Sequence, residues 1–317
     1  MNQDEPAPFH RAIPLDYLFL HNMVTTDLQI NLHQQVTDES YTQGMVADPV
    51  LLLQASRGRF QYAVIDRQRQ KAVILRDYQL VSEGDKEEVY ISGLLPKIYE
   101  EDDLLSTLRP DQVIMSIQST KHSLVPDPLF SKEHLRETLS LTCTTGDDDR
   151  YYEDAIRSAN AHMIFAVKED FLRETGELFK EATLFHSSSA FIESQLRLNK
   201  HETEPVISVL LGTKDISIVV TQGSELRFFN IFAYNSAEDF MYYLLFAFEQ
   251  LQLNPDVTPV RCYGEIEKIS AHWMMGRKYI RNISFGEKLE SLSYSYGFDK
   301  ISGHQYFGLF SQYLCVS

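Results

Sequence analysis

From Val50 onward, apolar residues come in short runs with a period of two: LLLQAS, then RGRFQYAVID, then RQRQKAVILRDYQL. Each run is bounded by Arg, Gly, Gln or Asp, so the pattern predicts three antiparallel strands joined by two tight turns. The theme returns at Val206–Leu211, Ile216–Val220 and Leu226–Phe232, with turns at Gly212–Asp215 and Gln222–Ser224. Two such units of similar length, starting about half a chain apart, are what an internal duplication leaves. Between them the pattern predicts a strand and its extension in DQVIMSIQSTKHSLVP, a helix after Pro128 and a loop at Gly146–Asp149. Strand His162–Val167, helix Glu169–Phe179, strand Ala182–His186 and helix Ser188–Leu198 follow, an alternation that marks an α/β domain.

The clearest helix is Ala237–Leu253 (AEDFMYYLLFAFEQLQL), which Pro255 stops. Its start carries two possible capping boxes, Asn235 with Glu238 and Ser236 with Asp239. Only a stripe near Glu238, Tyr242 and Glu249 is left for solvent. Strand Pro259–Tyr263, helix Ile266–Tyr279 and strand Ile280–Phe285 come next, and the aromatic end HQYFGLFSQYLC is expected to pack on the second domain. Glu83–Arg109 reads as acidic and partly helical, with Pro96 limiting any helix. Residues 1–49 are weakly patterned apart from PLDYLFL (14–20). The chain thus divides into an N-terminal extension (1–49), a first domain (50–200) and a second domain (201–317).

Composition narrows the function classes. Among 317 residues, 29 Lys+Arg face 45 Asp+Glu, a formal net charge of −16, which disfavours nucleic acid or an anionic membrane as a general partner. Hydrophobic residues at 44% suffice for a packed interior. Cys143, Cys262 and Cys315 are widely spaced and outside any CxxC pairing, so neither a disulfide framework nor a thiolate zinc site is expected. The N-terminus is acidic where a secretory signal is basic, and the apolar run Phe240–Phe248 is too short to span a bilayer. These features predict a cytoplasmic protein with no direct membrane insertion. One stretch departs from the acidic whole: between Leu51 and Leu80, Arg57, Arg59, Arg67, Arg69, Lys71 and Arg76 oppose only Asp66 and Asp77.

A three-stranded meander, a crossover helix and parallel strands with intervening helices are the plan of the ribonuclease-H-like unit. Two such units in tandem resemble the actin-like ATPase fold. The stretch FFNIFAYNSAEDFMYYLLFAFEQLQLNP and the segment HSLVPDPLFSKEHLRETL (His122–Leu139) are similar to a Bacteroidetes family, domain of unknown function 3822. The resemblance runs from about Val50 to the C-terminus. It implies an α/β fold of tandem ribonuclease-H-like (actin-like ATPase) domains, each a mixed sheet with an N-terminal three-stranded meander, and it assigns no activity. By plan, pilus-assembly and cell-division actin homologues and the cytoplasmic part of the type II secretion L component are similar.

Actin-like ATPases hold nucleotide between the two meanders, with an Asp in the turn after each first strand organising Mg²⁺ and backbone N–H groups cradling phosphate. Carried onto this chain, those acidic positions fall at Gln54 and Leu210, neither of which offers an anionic oxygen. Gly212, Thr213 and Lys214 are a candidate residual phosphate cradle, or a tight hairpin turn with Gly in positive φ. Gly264 stands where the adenosine-side turn would be, or is an ordinary strand-to-helix turn. No GxxxxGK[ST], GxGxxG after a strand, or GxSxG occurs. Asp147–Asp149 and His201, Glu202 and Glu204 have metal-donor types, but read better as solvated loop and linker. Ser187–Ser189 after His186 read as a helix cap. Arg57, Arg59, Asn230, Tyr234, Glu238, Asp239 and Tyr242 are candidates for an interaction surface.

The sequence therefore favours a non-catalytic cytosolic protein-binding or scaffold role with a degenerate nucleotide site, no cofactor and an unknown protein partner. The alternative is a divergent ATPase or phosphotransferase that binds ATP and Mg²⁺ in the interdomain cleft through Asp66 or Asp215. A secretion or pilus component recruited to the membrane by a partner is a third reading.

Overall fold

The computed structural model describes residues 28–39, 41, 46, 48–82 and 93–315. The PLDYLFL stretch, and the part of the acidic segment at 83–92, lie outside the described residues. The chain runs β1 (Leu28–Thr37), β2 (Pro49–Ser56), β3 (Arg59–Asp66), β4 (Lys71–Ser82), α1 (Leu95–Glu101), α2 (Asp103–Thr107), β5 (Gln112–Ile117) and β6 (His122–Pro126). It continues through α3 (Leu135–Leu139), β7 (Asp149–Ile156), β8 (Ala161–Lys168), α4 (Glu169–Leu178), β9 (Thr183–His186) and α5 (Ser187–Leu198). The second half is β10 (Val206–Leu211), β11 (Asp215–Gln222), β12 (Glu225–Ala233), α6 (Ala237–Gln250), β13 (Val260–Gly264), α7 (Ala271–Tyr279), β14 (Ile283–Phe285), β15 (Ser293–Tyr294) and α8 (Phe307–Ser311).

Both predicted meanders form. In the first sheet the order β4-β3-β2-β5-β9 places antiparallel hairpins beside the parallel strands β5 and β9. In the second, β12-β11-β10-β13-β14 repeats the same order and the same directions. This duplicated topology is the tandem ribonuclease-H-like plan. The alternating pattern explains the burial: β2 and β10, central in their sheets with both faces covered, are apolar nearly throughout. The α6 start uses the Ser236–Asp239 box, with Asp239 N–H donating to Ser236 Oγ at 3.1 Å and Asp239 Oδ2 accepting from Ser236 N–H at 3.2 Å.

Four expectations are corrected. Residues 28–37, placed in the extension, form β1 and pair antiparallel with β4 along the outer edge of the first sheet. The single strand and extension read in DQVIMSIQSTKHSLVP are two strands in different sheets: β5 lies in the first, while β6 pairs with β8 in a separate three-stranded sheet, β6-β8-β7. After Pro128 only α3 is α-helical, preceded by two 3₁₀ turns. The aromatic end does not confine itself to the second sheet. Its Tyr306, Phe307, Leu309, Phe310 and Tyr313 join the large apolar core around β2, β3 and α5, and upstream of it residues 293–294 pair with β4 and Phe298 joins the same core.

Helix α5 lies between the sheets on polar side chains. Ser187 Oγ donates to Ser116 Oγ of β5 at 3.3 Å, and Ser188 and Ser217 of β11 share a hydrogen bond at 3.4 Å. Ser208 of β10 donates to Gln195 at 2.7 Å, and Asn199, just past the helix end, donates to Thr221 at 3.0 Å. Each group is buried, so the pairing is obligatory, because an unmatched hydroxyl or amide there would cost about 1–3 kcal/mol.

Candidate functional site between the two sheets

Gln54 on β2 and Leu210 on β10 face each other across the cleft between the sheets and line a single cavity of about 40 Å³. Ser56, Gln61, Gln118, Ser217, Asp215, Gln305 and Tyr306 line it too. Helix α8 comes between the two walls at Gly308. A Cβ there would stand 3.3 Å from Leu210 Cδ2 and 3.8 Å from Gln54 Nε2, so the helix backbone itself occupies the gap. Gln312, one turn on, is fully buried and donates to Gln54 Oε1 at 3.5 Å.

A charge cluster spans the cleft. Arg59, at the start of β3, donates from Nε to Asp77 Oδ1 at 2.8 Å and from Nη2 to Asp77 Oδ2 at 2.5 Å, the forked geometry that suits guanidinium to carboxylate. Tyr306 donates to the same Asp77 oxygen at 2.8 Å. The other guanidinium nitrogen reaches across to Glu265, just past β13, which also accepts from Thr213 Oγ1 at 3.1 Å. Burial alone would strip the charge from Arg59; the hydrogen bonds and charges of Asp77 and Glu265 outweigh it and hold the guanidinium protonated. An interaction surface is thus the wrong reading for Arg59, whose side chain is 5% exposed and occupied by these partners. Sequence reasoning missed Asp77, Glu265, Tyr306 and Gly308 as cleft residues.

Gly212, Thr213 and Lys214 form the β10–β11 turn. Gly212 N–H donates to Asp215 O at 2.8 Å, and its carbonyl accepts from Tyr234 Oη at 2.7 Å, which occupies both backbone groups of that glycine. Contrary to expectation, Gly212 is not among the glycines of positive φ; a Cβ there would sit 2.9 Å from Asp215 Oδ1, and that approach favours glycine. Gly264 does have positive φ, 81°, and a Cβ on it would stand 2.1 Å from Leu211 O. Its tight fit holds the end of β13 against the end of β10. Asp215 lines the cavity, and burial, opposed by Arg57 and reinforced by Glu265, pushes its pKa up to about 6. Asp66 instead accepts from Arg69 N–H in the β3–β4 turn at 3.0 Å.

The other candidates scatter. Asn230 accepts from the next backbone N–H at 2.9 Å, Tyr234 is buried, and Asp239 caps α6; Glu238 and Tyr242 are exposed. Asp148 and Asp149 pair with Lys168 at 2.8 and 3.1 Å, and Asp149 also with Lys121 at 2.6 Å. Glu202 pairs with Arg261 at 2.8 Å. Among the described residues no group of three His, Cys, Asp or Glu side chains is placed to hold a metal. His186 itself caps α5, accepting Ser188 N–H at 3.2 Å, with burial, and then the charge of nearby His122, driving its pKa down to about 3. No helix among the described residues is long and apolar enough to cross a membrane.

Comparison with solved structures agrees with this architecture. A Bacteroides thetaiotaomicron protein of actin-like ATPase fold and unknown function superposes with a TM-score of 0.66 at 17% identity, covering 76% of this chain and 91% of that one. PilM in the PilM–PilN type IV pilus biogenesis complex gives a TM-score of 0.57 at 11% identity, covering 85% and 98%. No curated protein matches the sequence. The similarity at these identities is one of fold: tandem actin-like domains. Residues 39–283 match the family described as Protein of unknown function (DUF3822), and the chain belongs to that family.

Proposed function

We propose that this chain is a non-catalytic actin-fold protein that acts in the cytosol by binding another protein or serving as a scaffold, with a degenerate nucleotide site. One observation supports the reading: Gln54 and Leu210, which the resemblance to actin-like ATPases would match to the metal-organising carboxylates, line one cavity of about 40 Å³ with Gly308 of α8 between them. An amide and an isobutyl group supply no anionic oxygen to a hard cation. The space between these side chains suits a few waters. Arg59, Asp77, Glu265 and Tyr306 further join the walls. The similarly folded PilM, in its complex with PilN, is a precedent for protein binding on this fold.

Asp215 is the one acid of the alternative that faces the cavity, so a nucleotide reading would have to use it after the walls part. Calorimetry with ATP, with and without Mg²⁺, separates the two. The expected result is no saturable heat; micromolar, Mg²⁺-dependent binding that Asp215→Asn weakens would overturn the proposal.

A further inference from the structure

Helix α7 and the residues on either side of it differ in charge from the rest of the molecule. Over Ile266–Asn282 the cations Lys268, Arg277, Lys278 and Arg281 oppose only Glu267, a local balance of 4 − 1 = +3 in a chain of −16. All four are exposed, and none has an ion-pair partner among the described residues. Interleaved with them are three exposed large apolar side chains, Ile269 at 81%, Met274 at 59% and Tyr279 at 50%. Ala271, Met274 and Lys278 follow at helical spacing and share one face. The turn before the helix adds Lys268 and Ile269, and the residues at its end add Tyr279 and Arg281.

The inner side of α7 is already committed to the core. Trp273 stacks on Phe285 at a ring separation of 3.9 Å, and Gly276 is buried against Ile283. Nothing in the fold therefore requires the outward side chains to be apolar or basic. Lys278 Nζ lies over the Tyr279 ring, 5.3 Å from its centroid, and a surface of cations without carboxylate partners around apolar side chains is complementary to carboxylates around an apolar centre. Size decides which kind of partner fits. A bilayer or nucleic acid presents charge over an area far larger than one short helix, where the −16 of the whole molecule opposes approach. A short segment meets little beyond the stripe, within a screening length of about 8 Å.

We propose that the outward face of α7 is a docking site for an acidic protein segment that carries aliphatic or aromatic anchors between its carboxylates. This names the chemistry of the partner and rests on the protein-binding reading above. The test uses the full chain and a fluorescein-labelled synthetic peptide of Glu-Glu-Leu-Phe repeats, followed by anisotropy. Saturable binding is expected, weakened about tenfold by Lys278→Glu with Arg281→Glu, and unchanged by Lys180→Glu with Lys200→Glu, an equal charge change at exposed sites elsewhere. A peptide with Ser in place of Leu and Phe should bind at least tenfold more weakly. Absence of saturable binding, or equal loss in both charge variants, overturns the proposal. So does α7-dependent binding to phosphatidylglycerol vesicles with the peptide inert, which would give the face to a membrane. Failure here alongside silent ATP calorimetry removes this face but leaves the non-catalytic reading; ATP binding removes that reading whatever the peptide does.

Discussion

Replacing Arg59 with Met tests what holds the charge cluster at the cleft. The side chain is 5% exposed and its partner Asp77 is 0% exposed, so removing the guanidinium leaves a buried carboxylate with only the Tyr306 hydroxyl among its side-chain partners. Breaking a buried pair on one side costs about 3–5 kcal/mol, mostly as the penalty of the orphaned charge. Glu265 is different. Its side chain is 31% exposed, and Gln would still accept from Thr213, so Glu265→Gln is expected to cost about 1 kcal/mol or less. Adding Asp77→Leu to Arg59→Met should recover part of the loss, because no buried charge then remains. Urea unfolding followed by far-UV circular dichroism and by fluorescence of Trp273, the single tryptophan, measures both the total and the second sheet, where Trp273 stacks on Phe285. Equal costs for Arg59→Met and Glu265→Gln, or a loss below about 1 kcal/mol for Arg59→Met, would refute the view that the pair within the first sheet dominates.

Four further expectations follow from the same geometry. Gly264→Ala should lower stability by several kcal/mol, through a Cβ 2.1 Å from Leu211 O at a φ of 81°, and a thermal melt close to the parent's would contradict it. Gly308→Ala should cost little, since its Cβ meets only side-chain ends at 3.3 Å or more, whereas Gly308→Val should be clearly destabilised in the same melts. Asp102→Ala should cost roughly 3 kcal/mol in urea titrations, because Asp102 accepts from Tyr62 and Tyr78 at 2.6 Å each and caps α2 through Leu104 and Leu105 N–H. Burial raises the Asp154 pKa to about 7, so the unfolded chain gives up that proton first and stability falls as pH rises from about 4 to about 7; His186, lowered to about 3, loses stability as pH falls below about 6.5. Asp154→Asn should remove the first slope, leave the second and raise the melting temperature at pH 8, and an unchanged pH profile would refute the assignment.

The strands of both meanders and α6 were legible because each is covered on at least one face, which forces the apolar period into the sequence, and because caps and prolines mark the ends. β1 was not. In LQINLHQQVT the residues between the apolar ones are amides and one histidine, so an edge strand reads as a polar tail. β7, DRYYEDAI, is hidden for a related reason: it edges a small sheet, its tyrosines are half-buried, and of its apolar side chains only Ile156 at its end is fully buried. In the run EEDD the sequence cannot say which carboxylate turns inward. Asp102 does, because two tyrosine hydroxyls from β3 and β4 meet it there. Gln54 and Leu210 are singled out by the resemblance to actin-like ATPases, on strands the pattern makes recognisable, and both line the cleft. Asp77, Glu265, Tyr306 and Gly308 come from four separate stretches and share no spacing, so only the fold brings them together.

The way the two sheets are joined bears on where function can lie. Opening the cleft would have to break the Arg59–Glu265 contact, which is cheap, and also slide α5 and α8 along both walls, which is not. By sequence the serine-rich start of α5 reads as a helix cap alone; its hydroxyls instead pair with Ser116 of one sheet and Ser217 of the other. Directional bonds of this kind resist sliding more than apolar packing does, because a shift of about 1 Å leaves buried donors and acceptors unmatched on both sides at once. With the interior fixed in this way, the surfaces left free to meet a partner are the outer ones. Among those, the stripe from Lys268 to Arg281 combines cations that have no carboxylate partner among the described residues with exposed apolar side chains, in a sign opposite to that of the whole chain.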